Sequence, residues 1–214
     1  MNKKSIYILP SLLVMFMFSV SVWLYNLLPV QIPTHWNIEG GVDGYSSKAF
    51  GAFFLPEIAL LVFLLLMFFP RIDPLKKNFE SFRKYYDYFV FVLIVFFFSL
   101  HVLILSAARG YSLPIQYFIV PVTAVLFYVI GLMMKKSKRN WFVGVRTPWT
   151  LSSDTVWEKT HQVTGKLFLV WAALCLTGLF FSKMIFWTVI IPAVGIVIFS
   201  FVYSYFLYKK EIKR

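Results

Sequence analysis

Glu57 and His101 are ionisable side chains set inside long apolar runs, at 50–70 and 88–108. Such residues are costly at membrane depth and therefore weigh more than charges in loops. A helix beginning only after Glu57 would have residues 58–70 to cross with, about 20 Å at 1.5 Å each, which is too short for ~30 Å of hydrocarbon. Glu57 thus lies roughly 10 Å below the outer end of its run, and His101 lies at about the same depth in the next one. Sequential antiparallel helices would bring the two together, so a polar Glu57–His101 contact is expected, with His35 from the preceding loop as a third member. The alternatives are a helix-packing hydrogen bond and a coupling site for a transported ion. The scattered His and carboxylate residues lack metal-ligand spacing, so neither a metal nor a cofactor is expected. The chain carries no His-Glu-x-x-His motif, no Gly-x-Ser-x-Gly elbow and no paired-Glu prenyl-protease pattern. No catalytic residue is assigned, and an enzyme is the least favoured class.

A second cluster of chemistry lies in "NWFVGVRTPWTLSSDTVWEKTH", residues 140–161, a polar segment between two apolar runs. Gly144 and Pro148 argue against a continuous helix through its first half. Ser152 or Ser153 is a natural helix N-cap, Asp154 suits a first turn, and Thr155-x-x-Glu158 offers an alternative capping box. A helix then follows on which Trp157, His161, Thr164 and Phe168 share one face, with Glu158 beside His161. Arg146 could bridge Glu158 or bind a lipid phosphate through its planar fork. The candidate contact residues are Asn140, Gly144, Arg146, Thr147, Pro148, Trp149, Thr150, Trp157, Glu158 and His161, facing a partner or lipid headgroups. The competing reading is an interfacial elbow that orients the next span.

A third stretch, "PVQIPTHWNIEGGVDGYSSKA" (29–49), is rich in turn signals. Gly40, Gly41 and Gly44 supply left-handed backbone positions, Asp43-Gly44 marks a turn, and Trp36 suits the headgroup level. Pro33, His35, Trp36, Asn37, Gly40, Asp43 and Gly44 are the candidate recognition residues of an outward-facing loop. An ordered cap over the helix ends is the plainer reading.

The elements that must position these groups follow from composition. The chain has 214 residues, 60% of them hydrophobic and only 14% charged, too little charge to cover a soluble domain of that length. Six apolar segments, 6–28, 50–70, 88–108, 114–134, 163–181 and 185–208, are each long enough to span as helices. The expected fold is all-α: a polytopic membrane protein of six transmembrane helices, with no strand alternation competing. The first segment is too long for a secretory signal and has no small-x-small cleavage site, so it reads as an uncleaved span. Cys175, the sole cysteine, sits in an apolar run and has no disulfide partner within the chain.

Lys and Arg set the orientation. With the N-terminus inside, 18 fall on the cytoplasmic side and 3, Lys48, Arg109 and Lys183, on the outer side. Both termini then face the cytoplasm, leaving one long outer loop, 29–49, and one long cytoplasmic loop holding the motif segment 135–162. The net charge of +12 is explained by this asymmetry and an anionic inner leaflet, without direct nucleic-acid binding. Two three-helix halves, 1–110 and 111–214, run in opposite senses in the manner of an inverted repeat.

The segment "NWFVGVRTPWTLSSDTVWEKTHQVTGKLF" closely resembles the hallmark of the SdpI family of bacterial toxin-immunity membrane proteins. The resemblance is carried by Asn140, Gly144, Arg146 to Leu151, Ser152-Ser153, Trp157, Thr160-His161 and Gly165. "LPVQIPTHWNIEGGVDGYSSK" and "PRIDPLKKNFESFRKYYDYF" are similar to the domain of unknown function commonly fused before it. The resemblance implies a multi-pass protein of the bacterial cell membrane that protects against a secreted toxin peptide on the outer face. It also implies a signalling role, in which a soluble winged-helix repressor is held on the cytoplasmic face. A small transporter or exporter using Glu57 and His101 is the competing class.

Overall fold

The computed structural model describes residues 7–37, 39–111, 113–181 and 184–213. Lys3, Lys4, Lys183 and Arg214 of the charge count lie outside them. Helix α1 (Ile8–Leu24) ends in a 3₁₀ turn and leads into a hairpin of β1 (Gln31–Trp36) and β2 (Val42–Ser47). There follow α2 (Lys48–Ile72), α3 (Lys76–Ala108), α4 (Ile115–Lys136), the five-residue α5 (Pro148–Ser152), α6 (Asp154–Cys175) with a trailing 3₁₀ turn, and α7 (Ile185–Ile212). Six of these helices are long and apolar enough to cross a membrane. The protein is a polytopic all-α membrane protein.

The spans agree with the apolar segments, with two differences at their edges. Helix α3 continues through 76–87, so much of the expected cytoplasmic connection is helix. The outer loop is not turns alone: β1 and β2 pair antiparallel, Gln31 opposite Ser47, with irregular register around His35. Pro33 and three glycines hide the strand alternation there, and the pairing is imposed by docking. Ile32 is fully buried against Gly51, where an added Cβ would come within 2.7 Å of the Ile32 side chain. Ser47 then caps α2 by accepting the Phe50 N–H.

Helices α1, α2 and α3 share one core. Along α2, Leu55, Ala59, Phe63 and Leu66 meet Phe82, Tyr86, Val90 and Ile94 of α3, with Val14 and Met17 of α1 closing the third side. The opposite face of α2 exposes Leu60, Leu61, Leu64 and Phe68. Lipid is as apolar as leucine, so fit and hydrogen bonding, rather than hydrophobicity, select which faces meet.

Pro56, Pro70 and Pro192 supply part of that selection. Each proline within a helix lacks an N–H and orphans the carbonyl four residues earlier, a defect that hydrocarbon does not satisfy. Pro56 leaves the Ala52 carbonyl free, and Ser21 of α1 donates its hydroxyl to it at 2.6 Å. Pro70 leaves that of Leu66, which accepts the Tyr86 hydroxyl of α3 at 2.5 Å. Pro192 leaves that of Thr188, which accepts the Trp171 indole N–H of α6 at 2.8 Å. Helix pairs α1–α2, α2–α3 and α6–α7 are each pinned at one such point.

A thermodynamic cycle in detergent tests this pinning. Tyr86→Phe should cost about 1–3 kcal/mol of stability in the native chain, because it strands the Leu66 carbonyl. In a Pro70→Ala background, where the helix supplies its own N–H, the same change should cost much less, and equal costs would refute the coupling. Orientation is tested separately by single cysteines at Glu39 and Lys138 in a Cys175→Ser chain. An impermeant maleimide should label the first in intact cells and the second only after permeabilisation.

Candidate functional site

The residues singled out in the sequence fall into three places. The intramembrane pair does not form. His101 is buried, and its Nε2 lies 3.1 Å from the Ser21 hydroxyl, which itself donates to the Ala52 carbonyl. His101 therefore completes the repair of the Pro56 defect. Glu57, one residue past that proline, points to the exposed side of α2. The two do not share a face, because the contact is set by helix rotation, which span length does not encode. His35 does not join them either: it is exposed and pairs through Nδ1 with Asp43. The proposed transport-coupling pair is thus absent.

On the outer side, the tip of the hairpin is held by Asn37. Its side-chain oxygen accepts the N–H groups of Glu39 and Gly41, and its own N–H donates to the Gly41 carbonyl. Gly40 has the left-handed φ of +82° that the turn requires. Gly41 and Gly44 do not take the left-handed backbone expected of them. Gly44 lies in β2, where an added Cβ would come within 2.8 Å of the His35 Cβ, so glycine there permits the two strands to close. Beneath the hairpin lies a groove of about 400 Å³ whose walls include His35, Trp36, Phe54, Leu100, Leu103 and Ile104. It is a largely apolar cleft with a polar rim, of a size that takes a peptide side chain or part of a lipid.

The cytoplasmic segment is compact rather than extended. Asn140 is fully buried; its amide group donates to the Lys138 and Val143 carbonyls, and its oxygen accepts from the N–H groups of Phe142 and Val143. Gly144 follows at φ +117°, packed so closely on His161 that any Cβ would collide with Nε2. That nitrogen accepts the Val145 N–H at 3.0 Å. An amide N–H can only donate, so His161 is the neutral tautomer with its proton on Nδ1, which donates to the Trp157 carbonyl at 2.8 Å. The Trp157 ring stacks on the imidazole at 4.0 Å and its N–H donates to Ser137.

Thr147 and Thr150 form a reciprocal capping box for α5, with Pro148 in its first turn. Thr147 also reaches Ser204 of α7, and Trp149 packs edge-on against Phe201 and Tyr205. Ser153, the second of the two candidate caps, starts α6, and the Thr155–Glu158 box does not form. Arg146 donates to the Trp141 carbonyl and does not bridge Glu158, which is exposed. Both His161 nitrogens are engaged in these hydrogen bonds, so its imidazole is held as part of the frame. Among the described residues, no three His, Cys, Asp or Glu side chains converge to hold a metal.

Several residues that the sequence did not single out complete the face. Asp73, at the end of α2, is buried and accepts N–H groups from Leu75 and Trp141. Asn78 of α3 donates to the Arg139 carbonyl, and Arg139 pairs with Asp154 at 2.8 Å. The two cytoplasmic connections are thereby one unit. Tyr7, Arg83 and Asp87 interlock at the cytoplasmic ends of α1 and α3, and burial, then Asp87, pushes the Tyr7 hydroxyl up to about 12. The Asp73-Pro74 turn signal was legible in the sequence, as were Ser200 and Ser204 at helical spacing in an apolar run. Their partners were not.

Asn140→Ala should lower the stability of the detergent-solubilised chain by at least about 1–3 kcal/mol, since it strands several backbone groups at once. Glu158→Ala, on the exposed face, should stay within about 0.5 kcal/mol. Thermal midpoints measured side by side decide whether the segment is held as described.

Comparison with known proteins agrees with this layout. Residues 136–204, which span the motif, α5, α6 and most of α7, match the model of the SdpI/YfhL protein family. Residues 12–60, from α1 through the hairpin into α2, match a domain of unknown function, DUF1648. The chain is 26% identical over 204 residues to the immunity protein SdpI of Bacillus subtilis (strain 168), covering 95% of this chain and 96% of that one. No solved structure matches. With the cytoplasmic motif, the outer hairpin and the six spans all accounted for, the chain is a multi-pass bacterial membrane protein whose residues 136–204 are similar to the SdpI/YfhL family and whose residues 12–60 are similar to that domain of unknown function.

Proposed function

We propose that this chain is an immunity and signalling protein without catalytic activity. It protects its bacterium against a secreted toxin peptide and, with toxin bound, holds a soluble repressor at the membrane. The observation that carries the reading is the likeness to an immunity protein along almost the whole of both chains. The architecture supports it. The 1–110 half offers an outward hairpin over an apolar groove, suited to an amphipathic peptide at the membrane surface. The 111–214 half offers a rigid cytoplasmic surface with Glu158 and Pro148 exposed beside a buried hydrogen-bonded frame. Helix α3 runs without a break from Ile104 at the groove to Asn78 at the cytoplasmic unit, a continuous body through which binding outside can bias the arrangement inside.

Expression in a toxin-sensitive strain is the test. The chain should protect cells against a secreted toxin peptide, and Trp36→Ala or Asp43→Ala should remove protection while membrane levels stay unchanged. Glu158→Ala should keep protection and lose recruitment of the repressor to the membrane. No protection by a correctly inserted chain would overturn the reading, and joint loss of both activities in Glu158→Ala would overturn the division between faces.

A further inference from the structure

We propose that an anionic phospholipid of the cytoplasmic leaflet binds in the cleft between α4, α6 and α7, its phosphate on Arg146 and an acyl chain in the cavity below. The cavity measures about 530 Å³, and backbone 144–147 forms its cytoplasmic end. Helices α4 and α7 both contribute to it on one face of α6, through Ile130, Phe168, Trp171 and Ile196 among others. Val197 and Phe201, also in its wall, are 69% and 52% exposed, so the cleft opens sideways into hydrocarbon. The hydroxyls along it are already paired, Thr164 with Ser200 and Thr147 with Ser204, which leaves the interior apolar.

Its mouth carries the opposite character. Arg146 lines the cavity, is exposed, and donates to the Trp141 carbonyl, with no carboxylate partner among the described residues. The rest of its guanidinium fork matches a phosphate in geometry and charge. The face on which it sits carries most of the chain's Lys and Arg and thus gathers anionic lipid. A cleft with an apolar, membrane-facing body and one cation at the headgroup level has the two-part chemistry of a phospholipid. A soluble partner does not reach the apolar part. A second copy seated there would leave no phospholipid in the cleft, which the species retained in the experiment below distinguishes.

The full chain, reconstituted in nanodiscs of phosphatidylglycerol or of phosphatidylcholine and then transferred to detergent, is read by native mass spectrometry. One phosphatidylglycerol should be retained in preference to phosphatidylcholine by on the order of tenfold, because the choline cation of the latter offsets the phosphate charge that Arg146 meets, whereas phosphatidylglycerol keeps its net negative charge. Arg146→Gln should abolish the preference, and Arg146→Lys should keep most of it. Ala193→Phe, which fills the cavity, should release the lipid with Arg146 intact. Lys138→Gln, an equal charge loss outside the cleft, should change nothing. Equal retention of both lipids, full retention by Arg146→Gln, no effect of Ala193→Phe, or a lipid-free dimer as the stable species would each overturn the assignment.

Discussion

Everything in this molecule answers to the fact that a backbone carbonyl in hydrocarbon has no water to turn to. Prolines in α2 and α7 create three such carbonyls, and in each case a side chain of the adjacent helix meets it: Ser21, Tyr86 and Trp171. These contacts also fix helix rotation and height, which a smooth apolar surface sliding against apolar lipid does not. The aromatic and aliphatic core of α1, α2 and α3 then packs in the register those hydrogen bonds allow.

The same constraint explains the cytoplasmic segment. A chain that leaves helix geometry between two spans must account for every N–H and C=O it buries. Asn140 provides for four of them, Thr147 and Thr150 for the start of α5, and His161 for the Val145 N–H. Gly144 is required because His161 approaches the backbone too closely for any side chain. Much of the family-like pattern in this segment is therefore architecture. Of the candidate contact residues, Arg146, Pro148 and Glu158 remain exposed and available for contacts with lipid or partner.

The proposed function depends on connection between faces. The outer groove is walled by the outer end of α3 and roofed by the hairpin. The inner end of the same helix bonds to the loop before the motif through Asn78. Asp73 joins that loop to the end of α2 through the Trp141 N–H. A ligand outside that favours one tilt of α2 against α3 would thus displace the inner unit as one body, provided its affinity differs between the two arrangements.

Local chemistry was legible in the sequence. The six spans followed from apolar length, and the start of α6 from the capping chemistry of the Ser152-Ser153 pair. Gly144 and Pro148 marked the break before it. These features act within a few residues of one another or through bulk partition into lipid, so linear order carries them. What tertiary structure alone decided was pairing. Span length puts Glu57 and His101 at about one depth, yet helix rotation turns one to the outside and the other to Ser21. The hairpin, with weak alternation of its own, forms because Ile32 docks on Gly51. The carbonyl that each proline orphans is visible in the sequence, but which neighbour satisfies it depends on contacts between residues as far apart as Ser21 and Ala52, and only the packed helices bring those together.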